Sequence, residues 1–327
     1  MKKQSLFLLA VSVLFFSACS PTLRLFPDAR DPLREFTLEG KGDAKVLVIP
    51  VDGTLTDKAK RELLRTRPDT VRRVVTHLKK AEKDPNVRAV LLKINTPGGT
   101  VTASDLLYHE IKGFRERTGR PVVAAMMNMA TSGGYYISLP ADRIVAHPTT
   151  LTGSIGVVFF RPTVHPLMDR LGVGVTAHKT GDYKDMGSPF RPNSEDEVAI
   201  LQNLVDDLGA RFHALVRDHR SLSPDAMETV ASARLFLAPE ARELGLVDQV
   251  GYLDEALNAA RELAKLPEDA RVVIYRRIEY PDDTIYNSAA TRFPGPSGPV
   301  VHFSVPESLV PPAPGFYYLW HPGANAP

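Results

Sequence analysis

Apolar residues fall into solid runs and helical stripes along this chain. Lys45–Val51 (KVLVIPV), Val87–Ile94 and Val122–Met127 are short runs without polar alternation. That pattern predicts strands buried on both faces of a parallel sheet. Between them, Thr70–Lys83 sets Val71, Val74, Val75 and Leu78 at helical spacing and ends at Asp84-Pro85-Asn86. Ser104–Arg117 predicts a second helix, closed by Gly119-Arg120-Pro121. The order strand–helix–strand–helix–strand predicts parallel strands joined by right-handed crossovers.

The third strand leads into Met126–Ser138, MMNMATSGGYYIS. A short helix is expected over Gly133–Leu139, strands over Arg143–Ala146 and Val173–His178, and a short helix over Pro166–Leu171. The longest pattern, Glu195–Arg217, opens with the capping-box pair Ser194 and Glu197. Its apolar stripe (Val198, Leu201, Leu204, Val205, Leu208, Phe212, Leu215, Val216) suits a core or a subunit interface. Helices over Pro224–Ala231, Pro239–Leu244 and Asp254–Ala264 and a strand over Arg271–Tyr275 follow. From Pro281 the chain turns rich in Pro, Gly, Ser and Asn, which reads as a partly disordered extension. Phe316–Trp320 within it is aromatic enough to dock on a partner or to fold back on its own body.

The N-terminus changes the picture. Lys2 and Lys3, the apolar run Leu6–Phe16 and Ser17-Ala18-Cys19 have the layout of an export signal. The run is short for a membrane-spanning helix, which needs about 20 residues. Phe16-Ser17-Ala18-Cys19 resembles a bacterial lipobox, with Phe where leucine is usual, and that resemblance implies lipidation at Cys19. The chain then divides into a lipoprotein-type signal peptide (1–18), a tether (19–44), a main domain (45–280) and the extension (281–327). In an organism with two membranes, Ser20 after the cysteine weakly favours sorting to the outer one. Cys19 is the only cysteine, so no disulfide forms within the chain. Removing Met1–Ala18 takes away two lysines and leaves 38 basic and 38 acidic residues. This balance argues against a general nucleic-acid binder.

Ser132 is the leading candidate for chemistry. Two glycines after it allow close approach of a substrate backbone. A helix starting there aims free N–H groups at a reacting carbonyl. The bland alternative is a serine that merely caps that helix. Neither a zinc HExxH motif, a paired CxxC, a phosphate-binding GxxxxGK[ST] loop nor GxGxxG occurs, and no metal or cofactor is expected. Nine histidines are scattered; His147 is the best imidazole candidate, though structural by context. A serine then needs another base. Lysine serves when neutral, and lowering its pKa of ~10.4 by about 3 units corresponds to about 4 kcal/mol. Lys184 stands out because it lies in a loop of small and apolar residues, GDYKDMGSPF.

Several segments in order resemble the signal peptide peptidase A (SppA) family. They are Asn95-Thr96-Pro97-Gly98-Gly99, Met129–Tyr136, Thr152–Gly156 and Gly181–Lys184 with Pro189-Phe190. Ala241, Gly245–Asp248 and Gly251 match further downstream. Ala231–Arg234 departs from the family pattern, which carries a glycine there. The resemblance covers roughly 45–264. It implies an α/β fold of the Clp protease/crotonase-like class, a spiral of β-β-α units with mostly parallel strands and helices outside. It implies a Ser–Lys serine endopeptidase acting on cleaved signal peptides or other apolar peptides, with small residues next to the cut bond. By the same resemblance Ser132 is the nucleophile and Lys184 the general base. Ser154 orients Lys184, and the backbone N–H groups of Gly99 and Gly133 form the oxyanion hole. It further implies a homo-oligomeric ring, an octamer among the options, whose sites take Ser132 and Lys184 from neighbouring subunits. The expected setting is the bacterial cell envelope. An extended substrate should add to a sheet edge near Gly98–Val101. Two rivals stay open: a crotonase-like acyl-thioester enzyme, and a catalytically silent lipoprotein scaffold.

Overall fold

The computed structural model describes residues 32–62, 65–280, 282–287 and 314–321. The signal segment, Cys19 and most of the Pro/Gly-rich extension lie outside them. In chain order the strands are β1 Arg34–Glu39, β2 Lys45–Asp52, the short pair β3 Lys60–Glu62 and β4 Arg65–Arg67, β5 Val87–Thr96, β6 Gly98–Thr100, β7 Val122–Thr131, β8 Arg143–Ala146, β9 Leu151–Gly153, β10 Val158–Phe160, β11 Leu235–Leu237, β12 Gln249–Val250, β13 Arg271–Arg276 and β14 Gly315–Leu319. The helices are α1 Thr70–Lys83, α2 Val101–Thr118, α3 Gly133–Ser138, α4 His165–Leu171, α5 Glu195–His219, α6 Pro224–Ala231, α7 Ala238–Glu243 and α8 Leu253–Leu263.

The nine-stranded main sheet runs β1-β13-β2-β5-β7-β8-β12 with β9 and β11 branching from β7, and its neighbours are parallel except β1–β13 and β9–β11. This is the mostly parallel α/β class that the strand–helix alternation predicts. β2, β5 and β7 are central and covered on both faces, which explains their solid apolar runs. Alternate residues feed two cores. Leu47, Ile49, Val90, Leu92, Val122 and Ala124 pack towards α1 and α2. Val46, Val48, Ala89, Leu91, Val123 and Ala125 pack towards α8.

β7 places the site. Val123–Met126 pairs with β8, then Met129–Thr131 pairs with β9, so the strand changes partner halfway. Thr150 fastens the switch, its hydroxyl donating to the Met126 carbonyl at 3.0 Å. The second half of β7 stays paired with β5 through Thr96 and Ala130 and delivers Ser132 beside the end of β9.

Two expectations are corrected, and of the two readings of Phe316–Trp320 one is met. Residues 34–39, read within the tether, form edge strand β1 on β13. Val173–His178 is not a strand; it is exposed and irregular, with no neighbouring strand to complete its hydrogen bonds. Phe316–Trp320 folds back on its own body, with Gly315–Leu319 paired between β10 and β6. Elsewhere α1 matches its predicted span, and Ser194 and Glu197 form the expected capping box on α5. Only Glu197, Phe212 and Val216 of α5 are buried; Val198 and Leu204 are exposed.

Tyr135 ties α3 to the turn after α7: fully buried, it donates its hydroxyl to the Leu246 carbonyl at 2.9 Å. Tyr135→Phe should strand that carbonyl and lower stability by about 1–3 kcal/mol. Urea unfolding checks this, and an unchanged midpoint would show the bond to be dispensable.

Candidate active site

The chain turns at Ser132 with φ +52° and ψ −112°, between β7 and α3. A positive φ on a residue with a Cβ costs on the order of 1–3 kcal/mol and survives only where its surroundings enforce it. Here the Ser132 N–H donates to the Gly153 carbonyl at 2.7 Å, and the Ser132 carbonyl accepts from the Tyr136 N–H at 2.9 Å. The side chain makes no capping bond to α3, so the helix does not consume the hydroxyl. The bland capping role is not what this geometry shows. Ser132 is only 1% exposed.

Ser154 stands next to it. Thr131 and Gly153 are paired in the β7–β9 register, so Ser132 and Ser154 follow directly from adjacent strands. Ser154 also has positive φ, at +51°, and its N–H donates to the Arg234 carbonyl at 2.9 Å. Two of the serines singled out in the sequence thus share the same unusual backbone.

The glycine loop closes the other side. Gly98 has φ +100°, and a Cβ there would lie 2.7 Å from the Gly133 nitrogen. A Cβ on Gly99 would lie 1.9 Å from the Leu55 carbonyl oxygen. Leu55 donates to the Gly98 carbonyl at 2.8 Å and accepts from the Thr100 N–H at 3.0 Å. Those bonds occupy one edge of the loop, so the Gly99 N–H points out of the other edge, where β14 pairs with it through Tyr318. Ser132, Ser154, Gly99 and Gly133 are thereby gathered at one corner.

Lys184 is not. It lies in the arm between α4 and α5, where residues 171–184 are all exposed, and its amine makes no hydrogen bond or ion pair among the described residues. Ions shape this loop more than packing does. Arg191 bonds Asp185 at 2.7 and 2.9 Å and Glu197 at 2.7 Å, and Lys179 bonds Asp185 at 2.7 Å. Arg191 first, then Lys179, holds the Asp185 carboxyl well below its ordinary range. Arg191, with the Ser194 N–H, draws Glu197 down from 4.5 to about 2. A depressed carboxyl stabilises the fold above its unfolded value, and this support fades as pH falls from about 4.5 to about 2.

The sequence reading passed over Lys93. It is 5% exposed, with its amine donating to the Ile285 carbonyl at 2.8 Å, and burial pushes its pKa down against a smaller pull from Asp52. The signal was a lysine inside the otherwise apolar run AVLLKIN. It alternates with Leu92 and Ile94 and reaches the α8 face, where Ile285 packs. His147 bonds the Thr149 hydroxyl and packs edge-on against Tyr252, as a structural histidine would. No group of three or more His, Cys, Asp or Glu among the described residues is placed to hold a metal.

Comparison with known proteins decides the family. Residues 115–267 match the model of peptidase family S49. A protein named "Putative signal peptide peptidase SppA" from Enterococcus faecium is 34% identical over 261 residues, spanning 80% of this chain and 74% of its own length. The chain belongs to the SppA family of serine peptidases, family S49. "Protease 4" of Haemophilus influenzae is 33% identical over 74% of this chain, but this chain covers only 38% of it. "Serine protease SPPA, chloroplastic" of Arabidopsis thaliana is 33% identical over 62% of this chain and 30% of its own length. SppA-family membership favours peptide hydrolysis over the acyl-thioester chemistry considered above. The S49 match contains Ser132, Ser154 and Lys184 and begins after Gly99.

Gly99→Ala should be poorly tolerated, because its Cβ meets backbone and not a movable side chain. Overpacking of this kind costs about 1–3 kcal/mol. A thermal midpoint within a degree of wild type would contradict the tight approach of Leu55.

Proposed function

We propose that this SppA-family chain is a Ser–Lys endopeptidase of the bacterial cell envelope that cuts apolar peptides, such as spent signal peptides, after export. The observation that carries this reading is the Ser132 corner: a strained, buried serine whose hydroxyl does not cap α3, with two close-packed glycine-bearing segments beside it. In the proposed reaction the neutral Lys184 amine takes the Ser132 proton as Oγ attacks the scissile carbonyl. The oxyanion is held by the Gly99 and Gly133 N–H groups, each worth about 3 kcal/mol in the transition state. Lys184 then protonates the leaving amine and activates water, with Ser154 orienting it.

Lys184 reaches a serine only if the arm meets a site, and an oligomer provides this. The exposed apolar residues Leu167, Leu171, Val173, Val175 and Tyr183 of the arm, with Val198 and Leu204 of α5, suit a contact with another subunit. We therefore take the working unit as a ring in which one subunit's arm completes its neighbour's site. Membrane attachment is assigned to a lipid on Cys19. No helix among the described residues is long and apolar enough to cross a membrane.

Ser132→Ala should fold normally and lose about 10^4-fold or more in kcat/KM on an apolar peptide. Lys184→Ala should lose a comparable amount, whereas Lys179→Ala, which breaks a surface bridge, should stay within about fivefold of wild type. A Lys184→Ala enzyme that retains activity would sink the dyad. Arg191→Met releases the arm from Asp185 and Glu197. It should cost up to about 100-fold in kcat/KM through misplacement of the base, and it should also lower the thermal midpoint, because the buried Glu197 loses its cation. Wild-type kcat/KM measured well below that midpoint would make Arg191 a folding residue only.

A further inference from the structure

The helix that follows Ser132 cannot hold itself in place. α3 has six residues, too few to be stable without tertiary contacts. Its Tyr136 N–H donates back to the Ser132 carbonyl at 2.9 Å, so whatever fixes Tyr136 also fixes the turn at Ser132. Tyr135 supplies one anchor through the Leu246 carbonyl. The other anchor comes from α5.

Tyr136 is fully buried, and its hydroxyl donates to Asp105 Oδ1 on α2 at 2.6 Å. Arg211 of α5 donates to the same oxygen at 2.6 Å. The next residue, Phe212, sets its ring edge-on against Tyr136 with centroids 4.8 Å apart. Burial pushes the Asp105 carboxyl up, but the bonds from Tyr136 and Arg211 outweigh this and hold it below its ordinary range. It is therefore a charged acceptor at neutral pH, and bonds to such acceptors are short and strong. The Arg211 side chain is half exposed, and an exposed ion pair by itself adds little to stability. Its effect here is on geometry: it fixes the carboxylate that receives a buried tyrosine beside the nucleophile.

α5 also reaches the other serine. His213 donates its Nε2–H to the Ile155 carbonyl at 3.1 Å. A carbonyl only accepts, so the ring proton sits on Nε2. Ile155 is buried and directly follows Ser154, whose own N–H is held by the Arg234 carbonyl at 2.9 Å. Within three consecutive residues α5 thus grips the segment after Ser132, through Asp105 and by ring contact, and the segment after Ser154.

We infer that Arg211 and His213 are positioning residues for peptide hydrolysis: α5 holds α3 through Asp105 and Tyr136, holds the Ser154 turn through Ile155, and so sets the two serines at their working separation. This rests on Ser132 as the nucleophile. Reacting groups must be held to within about 0.5 Å, and an error near 1 Å can cost about 100-fold in rate. Both residues act through others, so their loss should lower kcat and leave KM within about twofold of wild type.

Kinetics on an apolar peptide, measured well below the thermal midpoint of each variant, test this. Arg211→Met should lose about 10- to 100-fold in kcat, and Arg211→Lys, which keeps a donor for Asp105, should recover most of it. His213→Ala should lose about 10-fold, and His213→Gln, whose amide nitrogen can serve the Ile155 carbonyl, should recover most of that. Tyr136→Phe keeps the ring and drops the hydroxyl. In that background Arg211→Met should cost nothing further, because the chain of bonds it acts through is already broken. Wild-type kcat in Arg211→Met or in His213→Ala overturns the inference. So do losses that the conservative variants leave unchanged, and full additivity of Arg211→Met with Tyr136→Phe. Ser132→Ala separates the two readings. If it is inactive while Arg211→Met is unimpaired, only the positioning role falls; if it is active, the nucleophile falls and the positioning role with it.

Discussion

At the carboxyl ends of β5 and β7 two backbones meet at a distance that no side chain permits. A Cβ on Gly98 would lie 2.7 Å from the Gly133 nitrogen, and one on Gly133 would lie 2.5 Å from the Ser104 hydroxyl. Everything at the site follows from that approach. It goes with the positive φ of Gly98, sets the glycine loop against the start of α3 and leaves Ser132 the corner between strand and helix. The corner is strained, and the strain is held by ordinary sheet bonds: Thr96 is paired with Ala130 on one side, and Thr131 with Gly153 on the other. A parallel sheet buried on both faces is stiff enough to fix such a corner, because its core offers no room to relax.

The arm obeys different physics. Around Ser132 the backbone is pinned by burial, whereas around Lys184 it is pinned by charge. Arg191 draws Asp185 and Glu197 together, so the loop keeps a shape without a core beneath it. Where water still reaches such pairs, as at Asp185, they hold geometry weakly. They strengthen when a partner surface removes water from them. On the proposed reading, an isolated chain holds the nucleophile ready and the base idle, and assembly supplies the second to the first.

The central fold was legible because its signals are local. Unbroken apolar runs between helical stripes specify buried parallel strands, and α1 and the α5 capping box were readable to within a residue. The Ser132 corner was legible as a serine followed by two glycines, since close backbone approach requires residues without a Cβ. What stayed hidden depends on distant pairing. β1 and β14 are short strands whose partners lie far along the chain, Arg276 for Arg34 and Gly99 for Tyr318. No local pattern encodes such a partner. Val173–His178 failed for the converse reason: it has strand-like residues and no strand beside it. Lys93 was missed because a single cation in an apolar run reads as noise until a carbonyl, here that of Ile285, is found to receive it.

One helix joins the two halves of this account. The stripe on α5 is continuous in sequence but divided in space. Phe212 and Val216 are buried in the body, while Val198 and Leu204 face outward beside the arm. The buried half packs against β14, since Phe212 and the Leu208 carbonyl both contact Tyr318. The exposed half offers apolar surface of the kind that subunits cover. Its start is fixed to the Lys184 loop through Glu197 and Arg191. A helix of 25 residues is stiff over its length, so a contact that positions its first turns also constrains the packing around Tyr318. Helical spacing alone could not separate these two roles. The division appears only once the body of the protein is seen to end partway along α5.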